Sequence, residues 1–258
     1  MATTFEIIDV TIDNVEKAGI FCIKNKKAQG FRDKVDWFCN KINDGLGIKI
    51  AESVDEKGKT VQLGFIEFLP SEKAWRPIDA QNLIFIQCIA LFGKGGRQRG
   101  VGSALIQAVE QEAIAANKAG LCTMASDGPW MANKKIFEKN GMTSVDKKGR
   151  FDLLFKTIVE DAHPPSFFDW EAQLKNYHGW HLVYADQCPW HEKAVNELQK
   201  IAQLKGFQLK IRKLETPQEA KMAPSGFGTF SLIKDGKLLA DHYISKRRFE
   251  NIIRHQLG

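Results

Sequence analysis

The sequence predicts an α/β protein with two domains, and three observations indicate it. Short apolar or alternating runs, typical of strands, are separated by stretches with helical spacing in both halves of the chain. A glycine-rich basic segment, GKGGRQRGVGS (93–103), joins the most apolar run to a helical stretch. The segment HPPSFFDW (163–170) then interrupts the pattern, because adjacent prolines continue neither a helix nor a strand ladder. We expect domains at 1–160 and 179–258, joined by a linker at 161–178.

Composition excludes several classes of protein. The chain has 258 residues and a net charge of +6, which favours an anionic ligand, but it has no run of basic residues typical of nucleic-acid binding. No apolar run approaches the ~20 residues needed to span a bilayer, and MATTFEIIDV lacks the regions of a signal peptide. Five cysteines form no CxxC pair, which argues against disulfides and a zinc site. We expect a cytoplasmic protein without a metal, nucleic-acid or membrane partner.

The first half predicts the order strand, two helices, two or three strands, helix, strand, helix, strand. Asp13 and Glu16 have the spacing of a capping box at the first helix. The run LIFIQCIALF (83–92) is the most apolar, so we expect it to be a central strand with both faces covered. The expected strands are 5–10, 48–53, 61–70, 83–92, 120–126 and 150–158, and the expected helices include 27–43, 103–117 and 131–142.

The second half predicts a smaller α/β series. WHLVYA (180–185) and FQLKIRKL (207–214) are typical of strands, and a helix is expected to begin between them at Pro189. TFSLI and KLLADHYI flank Asp235-Gly236, a strong hairpin signal. SKRRFENIIRHQL (245–257) is expected to close the chain as a helix.

The glycine-rich segment can be compared with three phosphate-binding patterns. The P-loop pattern requires GK followed by Ser or Thr, which is missing here. The dinucleotide pattern GxGxxG fails because Leu105 stands where the third glycine belongs. Arg97-Gln98-Arg99-Gly100-Val101-Gly102 fits the remaining pattern, (R/Q)xxGxG/A. At a helix start, amides and the helix dipole attract a phosphate, and glycine permits its close approach. The alternative is a tight turn with solvated arginines.

This pattern resembles the acyl-CoA pyrophosphate loop of the GNAT (GCN5-related) N-acetyltransferases. Downstream, MANKKIFEKNGM (131–142) resembles the GNAT helix pattern A-x-x-(Y/F)-x-x-x-G-F, with Phe137 before Gly141. Many members carry a tyrosine at this position, thought to protonate the departing thiolate, whereas phenylalanine has no proton to donate. This departure leaves the protonation of the leaving group unassigned.

Four stretches narrow the resemblance to the YoaP-like branch of GNAT proteins. They are GFIEFLPSEKAWRPIDA (64–80), FIQCIAL (85–91), SDGPWMANKKIFEKNGM (126–142) and DQCPWHEKA (186–194). The resemblance implies a GNAT acyl-CoA N-acyltransferase fold followed by a small YoaP-like, thioredoxin-like domain. It also implies acetyl-CoA as cosubstrate. The residues it assigns to cofactor binding are Ile89, Ala90, Leu91, Arg97, Gln98, Arg99, Gly100, Val101, Gly102, Ser103, Asn133 and Phe137.

Further residues are candidates for catalysis and acceptor binding. Glu67 lies among Phe65, Ile66 and Phe68, where a carboxylate with a raised pKa would serve as a general base; the alternative is that strand alternation places it in solvent. Trp75 and Arg76 suit an anionic or planar acceptor, or else pack and carry a surface charge. Trp130 is expected at the acetyl group or the acceptor, with a hydrophobic plug as the alternative.

Cys188 is the candidate catalytic group of the second domain. Proline at position 189 would place this thiol at the N-cap of a helix, where the dipole and free amides lower a thiol pKa. Residue 191 is His, so no second thiol stands at CxxC spacing, and Gly228 occupies the place of the cis-proline of thioredoxin-like proteins. A dithiol oxidoreductase is therefore disfavoured.

We predict an N-acetyltransferase that transfers acetyl from acetyl-CoA to an amine of a small molecule or peptide. Two alternatives remain: a catalytically weak acyl-CoA-binding sensor, which Phe137 would suit, and a thiol-dependent redox or detoxification protein centred on Cys188. The identity of the acceptor and the assembly, including a homodimer, stay open.

Overall fold

The computed structural model of the protein describes residues 5–20, 22–93 and 100–257, with the backbone alone for Leu257. These residues form two compact units. The first comprises the described parts of 1–24, 38–74 and 79–167, and the second those of 25–37, 75–78 and 168–258. Within the described residues, no helix is both long and apolar enough to cross a membrane.

The first unit is built on a seven-stranded mixed sheet with the strand order β1-β2-β3-β5-β6-β8-β7. Its long helix, α3 (Val101–Ala115), contributes Val101, Leu105, Ile106 and Val109 to a core against the sheet. The predicted α/β class is confirmed, and the apolar run at 83–92 forms the middle strand as expected. The strands are β1 (Glu6–Val10), β2 (Gly47–Val54), β3 (Thr60–Pro70), β5 (Leu83–Leu91), β6 (Gly120–Ala125), β7 (Thr143–Lys148) and β8 (Phe151–Thr157).

The helices of this part of the chain are α1 (Val15–Ala18), α2 (Gln29–Lys41), α3 (Val101–Ala115) and α4 (Lys135–Glu138). Single 3₁₀ turns lie at Ile42–Asp44 and Ser71–Lys73, and β4 (Ile78–Asp79) and β9 (Ser166–Phe167) are two-residue strands outside the large sheet. Helix α2 crosses the boundary between the units, since residues up to 37 belong to the second.

The second unit contains a four-stranded sheet with the order β11-β10-β12-β13, in which only β10 and β11 are parallel. Asp235 and Gly236 both have positive φ (47° and 75°), so the predicted hairpin turn is confirmed. Its elements are α5 (Glu171–Leu174), β10 (Trp180–Tyr184), α6 (His191–Leu204), β11 (Leu209–Lys213), α7 (Pro217–Lys221), β12 (Phe230–Lys234), β13 (Lys237–Ala240) and α8 (Lys246–Leu257).

Four local expectations are wrong or incomplete. The predicted capping box at Asp13 does not form, because α1 begins after Asn14, whose side chain instead accepts from Thr11 N. The helix expected over 131–142 shrinks to α4, with Lys134 as N-cap residue and Lys139 as C-cap residue; Gly141 (φ 83°) lies in the turn that follows. Strand β7 was missed because it is a largely exposed edge strand of polar residues. Helix α7 was missed although Thr216 and Glu219 form a complete capping box there.

A buried lysine links the sheet to α3. Lys49 on β2 is 6% exposed, and its Nζ lies 2.5 Å from Asp9 Oδ1 and 2.7 Å from Glu112 Oε1. Burial alone lowers the pKa of this ammonium, but hydrogen bonds and charge from the two carboxylates outweigh it and raise the pKa. The lysine is therefore charged at neutral pH and clamps β1, β2 and α3 together.

Replacing this lysine should weaken the first unit. Lys49→Met keeps most of the apolar stem and removes both charge-assisted hydrogen bonds, so the free energy of unfolding should fall by about 1.5–3 kcal/mol. Lys57→Met in the exposed β2–β3 turn is the matched control, expected within about 0.5 kcal/mol of the parent. Denaturant unfolding measures both, and equal losses would contradict the clamp.

Candidate active site

A β-bulge interrupts the middle strand of the large sheet. Glu67 of β3 lies opposite Cys88 of β5, but the next residue, Phe68, lies opposite Ile86. Gln87 is therefore one extra residue in β5. Such a bulge bends the strand and increases its local twist.

The neighbouring strand leaves β5 at this bulge. The parallel ladder between β5 and β6 runs from Leu83 opposite Gly120 to Ile86 opposite Thr123, and stops there. Beyond Ile86, β5 continues to Leu91 paired with β3 alone among the described strands. The second half of β5 consequently presents a backbone edge within the sheet.

The amides on that edge can be assigned. Phe92 N donates to Leu63 O of β3 at 2.8 Å. Because successive amides of a strand point to opposite neighbours, those of Ile89 and Leu91 face the side that β6 has left. The residues predicted to contact the acetyl and pantetheine groups (Ile89, Ala90 and Leu91) all lie on this half of β5.

The start of α3 lies beside the end of β5. Gly100 is the N-cap residue with φ 74°, a left-handed conformation that favours glycine, and a side chain there would meet open space. Gly102 differs, because an added Cβ would come within 2.5 Å of Ile136 Cδ1 and 3.0 Å of Leu91 Cδ1. The first glycine thus serves the turn and the second serves close packing. Arg97, Gln98 and Arg99 lie outside the described residues.

The first turn of α3 also presents backbone donors. The amides of Val101, Gly102 and Ser103 precede the first intrahelical hydrogen bond, which Ala104 N makes to Gly100 O at 3.0 Å. Ser103 Oγ accepts from Asn140 Nδ2 at 3.2 Å, which ties this turn to the residues after α4. Together with the helix dipole, these amides favour an anion.

Asn133 and Phe137, which were also predicted to bind the cofactor, contact neighbouring residues of the fold. Asn133 accepts from Lys135 N at 2.9 Å and donates to Asp127, so it shapes the entry to α4. The ring of Phe137 is 1% exposed and belongs to the core that α3 forms with the sheet.

Glu67 is buried rather than solvated, with 1% of its surface exposed. The solvent-face alternative is therefore excluded; Leu63 to Leu69 are all buried, so β3 is covered on both faces. Ile66 and Phe68 face α3, and Glu67 between them points to the opposite face, beside half-buried Cys88. This carboxylate lies next to the bulge where β5 and β6 separate.

Trp130 follows β6 in a strained backbone conformation. Its φ of 68° is rare for a residue with a large side chain, and its indole is 44% exposed. The preceding loop is held by Ser126 Oγ, which accepts from Gly128 N and from Arg150 Nη1, both at 3.0 Å. An exposed indole on a fixed loop suits contact with a ligand, whereas a hydrophobic plug would be buried.

Trp75 and Arg76 belong to the second unit and are 1% and 3% exposed. The two rings of Trp37 and Trp75 meet edge to face at 5.4 Å. Arg76 Nη1 donates to Phe227 O at 2.5 Å and to Thr229 Oγ1 at 3.1 Å. The surface-charge alternative is excluded, and an acceptor reaching Arg76 would have to enter the second unit.

Cys188 lies in the turn before α6, not at its N-cap as predicted. The helix begins at His191 with Trp190 as N-cap residue, and Cys188 O accepts from His191 N at 3.1 Å. An added Cβ on Gly30 would lie 2.0 Å from Pro189 O, so residues of α2 pack closely on this turn. Cys188 itself is half-buried.

The structure brings together the end of β5, the start of α3 and α4, with Glu67 across the bulge. It does not bring Trp75, Arg76 or Cys188 into the unit that holds them. Gln87, Asn140 and Arg150 were missed by sequence reasoning. Of these, Gln87 had a signal, since it is the one polar residue in the run LIFIQCIALF (83–92).

Two comparisons bear on the identity of the chain. Residues 208–251 match the family model described as YoaP-like. Over 255 residues the chain is 28% identical to the uncharacterized N-acetyltransferase YoaP of Bacillus subtilis, covering 95% of this chain and 97% of that protein. The resemblance to YoaP-like N-acetyltransferases is confirmed. The expected enzyme class agrees with the name of YoaP.

Solved structures of acetyltransferases are also similar to part of the chain. Arabidopsis thaliana NAA60 in complex with acetyl-CoA is 15% identical with a TM-score of 0.40, covering 60% of this chain and 99% of that one. Salmonella typhimurium yncA with its cofactor acetyl-CoA is 16% identical with a TM-score of 0.42, covering 62% and 97%.

The packing role of Gly102 can be tested by substitution. Gly102→Val should push Ile136 and Leu91 away from the first turn of α3 and lower the free energy of unfolding by about 1–3 kcal/mol. Gln107→Val, on the exposed face of the same helix, changes helix propensity alone and should cost about 0.5 kcal/mol. Similar losses in denaturant unfolding would show that the glycine is not needed for packing.

Proposed function

We propose that the protein transfers an acetyl group from acetyl-CoA to an amine of a small molecule or peptide. The observation that carries this proposal is the separation of β5 from β6 at Gln87, on the strand whose end lies beside the start of α3. A free strand edge and a helix N-terminus then follow one another along the chain. That pair suits a ligand with amide groups at one end and a pyrophosphate at the other.

In this proposal, the pantetheine amides pair with the edge of β5 at Ile89 and Leu91, as an added strand would. The pyrophosphate binds at the amides of Val101, Gly102 and Ser103, where the dipole of α3 is favourable. Arg97, Gln98 and Arg99 supply further donors and charge. The remaining predicted contacts are Ala90, Gly100, Asn133 and Phe137, the last two acting through the fold of α4.

Acetyl transfer requires a neutral amine beside the thioester. We assign Glu67 as the general base that takes the proton from the acceptor ammonium, directly or through a water. The neutral amine nitrogen then attacks the thioester carbonyl and an N–C bond forms. The nitrogen gives its second proton to water, and the C–S bond breaks to release the thiolate. Backbone amides at the bulge stabilise the oxyanion that develops between these steps.

The leaving group needs no acid from Phe137. A thiol has a pKa of about 8.5, so the thiolate of CoA is a stable leaving group near neutral pH and takes its proton from water. Phe137 instead fills the core under α3. The departure from the tyrosine common among GNAT proteins is then compatible with turnover.

The acceptor is recognised on the side of β6. The exposed indole of Trp130, held by the Ser126–Arg150 contacts, offers an apolar face for the acceptor chain. We therefore propose an amine attached to an apolar or aromatic group.

The second unit is proposed to be thioredoxin-like. Its parallel pair β10 and β11 joined by α6, followed by the antiparallel hairpin β12–β13 and α8, supports that interpretation. Cys188 has no part in the acetyl transfer proposed above.

Glu67→Gln separates chemistry from cofactor binding. The amide has nearly the same size but takes no proton, so kcat should fall about 10²–10⁴-fold, while acetyl-CoA still raises the melting temperature. Release of CoA across a panel of amines measures turnover, with Glu56→Gln in the exposed β2–β3 turn as the matched control. Absence of a melting shift with acetyl-CoA in the parent protein would overturn the proposed cofactor, and full activity of Glu67→Gln would overturn the assigned base.

A further inference from the structure

The second unit contains a buried cluster of polar and aromatic side chains. Its polar members are all at least nine-tenths buried, which is unusual for lysine and arginine. We call it the polar cluster; it consists of Lys34, Trp37, Trp75, Arg76, Gln187, His191, Phe227 and Thr229.

Ring contacts hold the cluster together. Lys34 Nζ lies 3.9 Å from the ring centroid of Trp37, which meets Trp75 edge to face. The guanidinium of Arg76 lies 4.5 Å from the ring centroid of Phe227. That ring in turn lies 6.2 Å from the imidazole of His191. Each of the two cations and the histidine therefore lies against an aromatic ring of the cluster.

Among the buried polar atoms of the cluster, Trp37 Nε1 and His191 Nε2 have no hydrogen-bond partner in the described part of the chain. Trp37 Nε1–H is a donor. His191 Nδ1 lies 2.9 Å from Ala185 O, so Nδ1 carries the proton and Nε2 is left as an acceptor. Each such atom costs about 1–3 kcal/mol if nothing satisfies it, and in native proteins these groups normally have a partner.

The protonation state of His191 and the charges of Lys34 and Arg76 indicate what kind of ligand would satisfy these two atoms. The pKa of His191 is lowered to about 4, chiefly by burial; the hydrogen bond to Ala185 opposes this shift, and the charges of Arg76 and Lys34 add to it. The imidazole is therefore neutral at pH 7 and accepts a hydrogen bond through Nε2. The positive potential of Lys34 and Arg76, by contrast, favours a negative charge nearby.

We propose that the polar cluster binds a small carboxylate that carries a hydroxyl or ammonium group on the neighbouring carbon. The carboxylate lies in the field of Lys34 and Arg76 and accepts from Trp37 Nε1. The hydroxyl or ammonium group donates to His191 Nε2. One ligand of this class satisfies both atoms, whereas acetate or chloride leaves His191 Nε2 without a donor.

Thermal unfolding of the full chain with four probes tests this site. L-lactate, glycine, acetate and sodium chloride are compared at equal ionic strength, because a ligand that binds the folded state raises the melting temperature with concentration. Lactate or glycine should raise it, and acetate and chloride should not. The lactate and glycine arms distinguish a hydroxyl from an ammonium donor.

Two variants locate the effect. Trp37→Phe and His191→Phe each remove one of the two atoms and keep an aromatic ring, so without ligand they should be as stable as the parent or more stable. Both should lose the shift with lactate or glycine. Trp180→Phe is the matched control, since Trp180 stacks on Phe207 in the same unit and should keep the shift.

A measurement on the parent protein does not depend on these variants folding. The ¹⁵N resonance of His191 Nε2 should move on adding the probe that raises the melting temperature, because a bare acceptor gains a hydrogen bond. The proposal would be overturned if acetate raised the melting temperature as much as lactate or glycine, or if the rise survived in both variants. It would also be overturned if the protein responded to neither lactate nor glycine, which is the result expected when a permanently bound water satisfies the two atoms.

Discussion

The extra residue in β5 at Gln87 is the constraint on which the first unit depends. A regular strand would keep Ile84, Ile86 and the even-numbered positions after them on the face of α3. With one residue inserted, Ile89 and Leu91 take that face instead, and the core under α3 stays apolar along the whole strand. The same insertion turns the strand away from β6. The register shift at Gln87 therefore keeps the core under α3 apolar and separates β5 from β6.

The first turn of α3 combines two requirements that the sequence pattern alone does not distinguish. Gly100 is required by a left-handed backbone, and Gly102 by the closeness of Ile136 and Leu91. The amides proposed to bind an anion are therefore held by core packing at Gly102 and by a left-handed turn at Gly100. Phe137 lies in that core and packs beneath the turn. Without the hydroxyl of a tyrosine it donates no proton, but it fills the core as a tyrosine ring would.

Elements whose sequence signal lies in neighbouring residues could be predicted, whereas contacts between residues far apart in the chain could not. The apolar run at 83–92 and the Asp235-Gly236 turn both carry their signal within a few residues. Strand β7 has no apolar alternation, because an exposed edge strand needs none. Helix α7 did carry its signal, the Thr216–Glu219 capping box. The placement of Arg76 depends on its contacts with Phe227, about 150 positions away, so no local pattern indicates it.

Hydrogen exchange at the edge of β5 tests the central claim most directly. Without ligand, the amide of Ala90, which points to β3, should exchange slowly, and those of Ile89 and Leu91 should exchange fast because β6 has left them. Acetyl-CoA should slow Ile89 and Leu91 selectively and leave Leu83 to Ile86 unchanged. Protection of Ile89 and Leu91 before acetyl-CoA is added, or rates that acetyl-CoA does not alter, would contradict a cofactor bound as an added strand at this edge.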